Sequence, residues 1–279
     1  MTTSELPPLR ESLAAHGLLA QKRFGQHFLL DLNVTRKIAR LAGPFAGNVV
    51  LEVGPGPGGL TRALLESDAS RVIAIEMDER FIPLLAELAA ASSMPLEMVR
   101  ADALRVDELA LIKRAGVAGP AHVVSNLPYN VGTPLLLKWL TGPFRPLTMT
   151  LMFQKEVADR IVAEAGAPAY GRLSVIAKAV CDARLVMDLP ARAFTPPPKV
   201  SSAVVKLIPH PIAPQPQLIA HLERVTAAAF GQRRKMLRSS LRQLGGAELC
   251  TAADIDPDAR AETVDIAGFL RLAARLQGS

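Results

Sequence analysis

The sequence predicts an α/β fold: a mostly parallel sheet with helices on both faces, followed by a small all-helical C-terminal domain. Three observations carry this. From Asn48 to Phe153, short apolar runs alternate with turns and helix-period segments, the pattern of parallel strands covered on both faces. Prolines at 209, 211, 214 and 216 then break the chain at one place. Beyond them every apolar pattern has helical spacing. With 279 residues, 49% of them hydrophobic, the chain can bury a core for one large domain plus a smaller one.

Residues 1–9 read as a loose tail, and 10–16 as a short helix with Gly17 behind it. The stretch Gln21-Lys22-Arg23-Phe24-Gly25-Gln26-His27-Phe28-Leu29-Leu30 mixes charge, glycine and aromatics without a period, so it reads equally as a loop over a ligand or as a surface connection. Asp31 caps a helix whose Val34, Ile38 and Leu41 follow helical spacing until Gly43-Pro44 ends it. Strands are expected over 49–53, 71–75, 96–100, 121–124 and 147–153. Helices are expected over 60–65, 78–90, 107–115, 134–140 and 154–164, with Pro83 straining the start of the second. A helix over 173–180 leads to strands at 183–189 and 202–208, which suit an antiparallel edge joined by a proline-rich loop. The last helices fall at 219–230, 234–244, 247–252 and 266–276. The expected organisation is therefore a tail (1–9), an α/β domain (10–208), a linker (209–216) and a helical domain (217–279).

Charge and cysteine content narrow the function classes. A net charge of +6 and a pI near 9.6 favour an acidic partner such as nucleic acid, though the excess is modest. Cys181 and Cys250 lie far apart with no CxxC partner, so neither a metal site nor a disulfide framework is indicated. No apolar run reaches spanning length and no leader-like segment opens the chain, so a soluble, cytoplasmic protein without a membrane partner is expected.

The glycines at 54, 56 and 59 fit G-x-G-x-x-G after a strand, and Glu76 follows Gly54 by 22 residues at the end of the next strand, a spacing that suits a ribose hydroxyl acceptor. Two ligands compete for such a loop, a dinucleotide and S-adenosylmethionine. Glu52, Glu76 and Asp102 end or follow three consecutive strands. Carboxylates repel a pyrophosphate but suit an amino group, a sulfonium and ribose hydroxyls, which favours S-adenosylmethionine. Each acid taken singly could equally cap a turn.

Ser125-Asn126-Leu127-Pro128-Tyr129-Asn130 sits where a strand gives way to a helix, the edge at which open α/β sheets bind ligands. Asn126 offers an amide acceptor, Pro128 a fixed φ and Tyr129 a flat face, a set that suits a planar amine-bearing ring. Alone, the stretch reads as a turn. In 230–244, Arg233, Arg234, Lys235, Arg238 and Arg242 supply five positive charges and no acid. Arg234, Arg238 and Arg242 repeat every four residues opposite Phe230, Leu237, Leu241 and Leu244, so one helix face would meet phosphate and the other the core.

Four motifs in order, residues 21–29, Leu51-Glu52-Val53-Gly54-Pro55-Gly56, Asn126-Leu127-Pro128-Tyr129 and Phe194-Thr195-Pro196-Pro197-Pro198-Lys199-Val200-Ser201-Ser202, resemble those of the ribosomal RNA adenine dimethyltransferases. They are most similar to the bacterial small-subunit branch linked to kasugamycin sensitivity, and the likeness runs from about Lys22 to the basic C-terminal segment. The resemblance implies a Rossmann-like methyltransferase sheet and a small helical domain. It also implies dimethylation, with S-adenosylmethionine, of two adjacent adenosines in the 3′-terminal hairpin loop of 16S rRNA. The partner would be an immature 30S particle, met by a monomer. Carried over by position, His27, Leu29, Gly54, Glu76, Asp102 and Asn126 would hold the cofactor. Asn126, Leu127, Pro128 and Tyr129 would form the catalytic stretch, Tyr129 and Phe194 would sandwich the flipped base, and Arg234, Arg238 and Arg242 would bind RNA, with Lys22, Arg23 and Lys199 as further phosphate contacts. One departure is visible: many relatives carry Asn where His27 stands, and an imidazole does not offer the same donor and acceptor pair.

Overall fold

The computed structural model describes residues 6–18, 27–116 and 119–276, so Lys22 and Arg23 lie outside the described residues. Its elements in order are α1 (Leu9–Ala15), β1 (Phe28–Leu29), α2 (Leu32–Ala42), β2 (Val49–Val53), α3 (Gly59–Leu65), β3 (Arg71–Glu76), α4 (Ile82–Ala91), β4 (Leu96–Arg100), α5 (Glu108–Arg114), β5 (Ala121–Asn126), α6 (Gly132–Thr141), β6 (Met149–Gln154), α7 (Lys155–Val162), α8 (Arg172–Val180), β7 (Cys181–Leu189), β8 (Phe194–Thr195), β9 (Ser202–Pro209), α9 (Pro216–Gly231), α10 (Leu237–Ser240), α11 (Gly246–Ala252) and α12 (Ile266–Leu276).

Seven strands form one sheet in the order β4-β3-β2-β5-β6-β9-β7. The first five pair in parallel, whereas β9 runs antiparallel to β6. Strands β2, β5 and β6 are buried along nearly their whole length, which is why they read as continuous apolar runs. The chain order reverses between β2 and β5, and at such a switch point the loops at the strands' carboxyl ends diverge and leave a crevice.

Cα packing divides the chain into two compact units. The first comprises Met1–Leu136, Phe144–Lys155 and Leu185–Leu207; the second comprises Leu137–Pro143, Glu156–Arg184 and Ile208–Ser279. The prolines at 209–216 thus open only the last stretch of the second unit, which also takes in 156–184, a segment expected in the α/β domain. The cause is apolar patterning: Ala163, Tyr170, Val175 and Ala179 share a core with Leu222, Val225, Phe269 and Leu272 of α9 and α12. Tyr170 further anchors that core by donating its hydroxyl to Val264 O at 2.8 Å.

Two local expectations are corrected. Pro83 does not strain α4, because it occupies the first turn, where no intrahelical N–H is needed, behind a 3₁₀ turn over Glu79–Phe81. The expected helix over 234–244 is broken. Helix α9 ends at Gly231, Met236 bridges to Arg260, α10 is a single turn, and Gly245 adopts φ +110° after a 3₁₀ turn at Arg242–Leu244. Leu237 and Leu241 are buried as their spacing required, but Arg234, Arg238 and Arg242 do not share one helix face. Among the described residues no helix is long and apolar enough to cross a membrane.

Candidate active site

A cavity of about 720 Å³ opens at the carboxyl ends of β2, β3 and β5, lined by His27, Leu29, Glu52, Gly54, Glu76 and Asn126 to Tyr129 among others. Each strand delivers its polar residue where the ladder stops. The turn after β2 then folds back on α3. Gly54 holds φ +68°, and a Cβ there would lie 3.3 Å from Pro128 Cδ, so the glycine lets the β2 and β5 loops touch. At Gly59 a Cβ would stand 2.5 Å from Leu29 O, so this position admits the β1 backbone against the start of α3.

Glu76, at the end of β3, is buried and accepts from Gly56 N at 3.0 Å and Asp78 N at 2.8 Å. Burial raises its pKa while these backbone donors oppose the rise. Each carboxylate oxygen keeps a further lone pair, the capacity needed to receive vicinal hydroxyls. Met77 follows directly and is 70% exposed, giving the cavity rim an apolar side chain beside that carboxylate. Its only sequence signal was an apolar residue just past the acid.

Glu52 also lines the cavity but is only 1% exposed. Burial pushes its carboxyl up to about 8, with the Thr61 hydroxyl beside it offsetting part of the shift and Glu76 adding to it. Neither Glu52 Oε2 nor Thr61 Oγ1 completes a hydrogen bond of normal geometry. A stability effect follows. The folded protein holds this proton up to about pH 8, whereas an unfolded glutamate releases it near 4.5, so the contribution of Glu52 to stability is fully present below pH 4.5 and declines as pH rises through that window. Urea unfolding of the cofactor-free protein is expected to show Glu52→Gln gaining on the wild type by about 1.4 kcal/mol per pH unit between those limits. A constant difference would show that Glu52 is already ionised.

Asn126 ends β5, half-buried, with Nδ2 3.5 Å from His27 O, which leaves Oδ1 for a donor. Ser125, directly before it, donates to Val53 O and ties β5 to β2. His27 donates from Nδ1 to Pro196 O at 2.7 Å; a carbonyl can only accept, so Nδ1 carries the proton and Nε2 is left for another partner. The His27 and Tyr129 rings lie 5.7 Å apart at 30°, and the Tyr129 hydroxyl meets Ser202 Oγ at 2.6 Å. Pro128 O accepts from Val131 N at 3.1 Å and Gly132 N at 3.0 Å, which fixes the turn into α6. The stretch that alone reads as a turn is therefore a turn packed against the cavity.

Not every expected residue comes to this cavity. Asp102 is absent from its lining; its carboxylate accepts from Leu104 N at 3.0 Å and lies 3.6 Å from Arg105, the turn-capping alternative. Phe194 is 3% exposed and packs in the core with Leu29, its register partner in the β1–β8 ribbon, so it is not positioned as an open stacking face. The arginines belong to the second unit. Lys235, Arg238 and Arg242 line a separate concavity there, while Arg234 is exposed outside it. Acids absent from 230–244 arrive from the loop before α12: Asp258 pairs with Arg238 at 2.9 Å and Glu262 with Arg233 at 2.9 Å. Phe28 and Ser202 lie within the motifs that carry the resemblance but had no role assigned to them, because one sits in a mixed stretch and the other opens an apolar strand.

The family model described as ribosomal RNA adenine dimethylase matches residues 17–278. The chain is 67% identical over 273 residues to the ribosomal RNA small subunit methyltransferase A of Phenylobacterium zucineum, covering 98% of this chain and 94% of that one. It is 69% identical over 260 residues to the protein of the same name from Caulobacter vibrioides, covering 93% and 98%. Among solved structures, it is similar to a dimethyladenosine transferase from Plasmodium falciparum (TM-score 0.73, 26% identity, covering 90% of this chain and 98% of that one). It is also similar to the 23S rRNA methyltransferase ErmE (TM-score 0.67, 26% identity, covering 90% and 99%).

Proposed function

The chain belongs to the ribosomal RNA adenine dimethylase family, and from that premise we propose how its residues perform the reaction. It is an rRNA adenine dimethyltransferase that uses S-adenosylmethionine. The substrate we assign is the RNA of the small subunit, at two adjacent adenosines of the 3′-terminal hairpin loop of 16S rRNA in an immature 30S particle, met in the cytoplasm by a monomer. The small-subunit name carried by the curated relatives supports this over a large-subunit substrate of the kind in the name of the 23S rRNA methyltransferase ErmE.

The cavity's donor set suits that cofactor. Glu76 retains lone pairs for ribose hydroxyls, Glu52 is a buried acid with an unsatisfied oxygen, and the glycine turn gives a ligand access to backbone. His27 and Leu29 close one side of the cavity. Asp102 belongs to the set through the resemblance, which gives it the amine of the cofactor's adenine; one of its oxygens caps Leu104 N and the other lies 3.6 Å from Arg105. When bound, the cofactor supplies an electrophilic methyl on a sulfonium.

Adenine's amine is a poor nucleophile because its lone pair is delocalised into the ring. Asn126 Oδ1 accepts one amine hydrogen and a backbone carbonyl accepts the other, pyramidalising the nitrogen so that its lone pair leaves ring conjugation and points at the methyl carbon. The carbonyl we assign is Leu127 O, since Pro128 O is already engaged by two amides of its own turn. The nitrogen would gain the methyl as the sulfonium's C–S bond breaks to leave a neutral thioether, and would release one proton to water; a second round with a fresh cofactor would replace the remaining hydrogen. Tyr129 takes over one face of the extruded base, a contact worth roughly 1–3 kcal/mol. Phe194 acts from the core by holding Leu29 in the β1–β8 ribbon. Arg234, Arg238, Arg242 and Lys199 supply phosphate contacts, which set affinity and its salt dependence and leave base choice to the pocket.

The observation that carries this function is Asn126 at the end of β5, its Oδ1 without a hydrogen-bond partner among the described residues, beside an acid-lined glycine turn. Mass spectrometry of rRNA from unmethylated small subunits, after incubation with the protein and S-adenosylmethionine, tests it. Two adjacent dimethyladenosines near the 3′ end are expected; methyl groups confined to large-subunit RNA would overturn it.

A further inference from the structure

We infer that Ser202 is a positioning residue for methyl transfer, its hydroxyl setting the plane of the Tyr129 ring against which the target adenine stacks. The inference rests on the stacking role given to Tyr129 above. Tyr129 sits on a turn rather than in a ladder, so its own backbone does not fix the ring. The fixing comes from outside, through the 2.6 Å bond between Tyr129 Oη and Ser202 Oγ.

Ser202 is a rigid anchor for that bond. It is fully buried, it is paired opposite Gln154 at the end of the β6–β9 ladder, and Lys155 N donates to the preceding carbonyl, Ser201 O, at 2.9 Å. Conjugation keeps the phenol hydroxyl and its lone pair in the ring plane. A bond at Oη therefore restrains rotation about χ2 as well as the ring's position. The His27 ring, 5.7 Å away, adds a second restraint and is itself held by Pro196 O in the loop that leads to Ser202. Burial raises the Tyr129 pKa while Ser202 opposes the rise, so the phenol is neutral and able to donate. One loop thus steadies the stacking ring at its hydroxyl and at its neighbour.

Turnover on unmethylated small subunits at saturating S-adenosylmethionine tests this in Ser202→Ala, Ser202→Thr, Tyr129→Phe, the Ser202→Ala/Tyr129→Phe pair and Tyr129→Ala. Ser202→Ala and Tyr129→Phe are each expected to lower kcat about tenfold. The pair should be no worse than either alone, Ser202→Thr should recover most of the loss, and S-adenosylmethionine affinity by calorimetry should stay unchanged. The chain has two tyrosines. With 3-fluorotyrosine, the Tyr129 resonance should therefore shift or broaden in Ser202→Ala while that of Tyr170 stays fixed. Additive losses in the pair, or an unchanged kcat in Tyr129→Phe while Tyr129→Ala loses a hundredfold, would overturn the role of Ser202 and leave the stacking role standing. Full turnover in Tyr129→Ala would overturn both. Tyr129→Phe removes the same bond without touching the packing of Ser202, so it decides the matter if the serine variants do not fold.

Discussion

Replacing Asn126 by alanine is expected to lower methyl transfer by about 10³-fold, the upper range for removing one preorganised polar contact to a reacting group. The loss should appear in single-turnover rate rather than in RNA affinity, because phosphate contacts on the second unit are untouched. S-adenosylmethionine binding should lose only the Asn126 contact and fall far less than the rate, since Glu76 and the glycine turn remain in place. The geometry explains the size of the effect. The half-buried amide ends β5 with Nδ2 on the side of His27 O, at 3.5 Å, which favours the rotamer that leaves Oδ1 for the substrate. Water in its place has no such preference. Transfer of a labelled methyl group onto unmethylated small subunits, with filter binding in parallel, measures both quantities. Comparable losses in rate and in RNA affinity would show that Asn126 serves binding rather than orientation.

Glu76→Ala is expected to weaken S-adenosylmethionine binding by about a hundredfold, read by calorimetry, on the basis of 1.5–3 kcal/mol for each hydrogen bond to a charged group. Two effects add. The ribose hydroxyls lose their acceptor, and Gly56 N and Asp78 N lose theirs, which releases the glycine turn from the end of β3. Glu76→Gln separates the two. It keeps one acceptor oxygen, so it should retain part of the affinity while losing one of the two backbone bonds. Affinity of Glu76→Ala within threefold of the wild type would remove Glu76 from the cofactor site.

Much of this site was legible in the residues because its chemistry lies at strand ends, where burial pattern and turn residues meet. Gly54, Glu76 and Asn126 each close an apolar run, Glu52 stands one residue inside the first of them, and the sheet gathers them into one cavity. What the residues concealed depends on contacts between distant segments. Lys206 lies within a continuous apolar strand buried on both faces, and its ammonium caps the carbonyls of Leu41, Ala42 and Gly43 at 2.9, 3.0 and 3.2 Å. The arginine row at 234, 238 and 242 had the right period for a helix, but Gly231 and Gly245 and the bridge from Met236 to Arg260 decide the backbone there. Phe194 has the composition of a stacking residue, and only its pairing with Leu29 places it in the core.

The adjacency of β2 and β5 has a mechanical consequence. The cofactor turn leaves one of these strands and the adenine clamp leaves the other, and they are direct hydrogen-bonded neighbours further stitched by Ser125 to Val53. Donor and acceptor platforms are thus rows of one lattice, whose repeat across strands is about 4.8 Å. On the proposed function, the spacing of the two platforms is set by that repeat, and between the two transfers the adenine C6–N6 bond has to turn to bring the remaining hydrogen to an acceptor and the lone pair back into line.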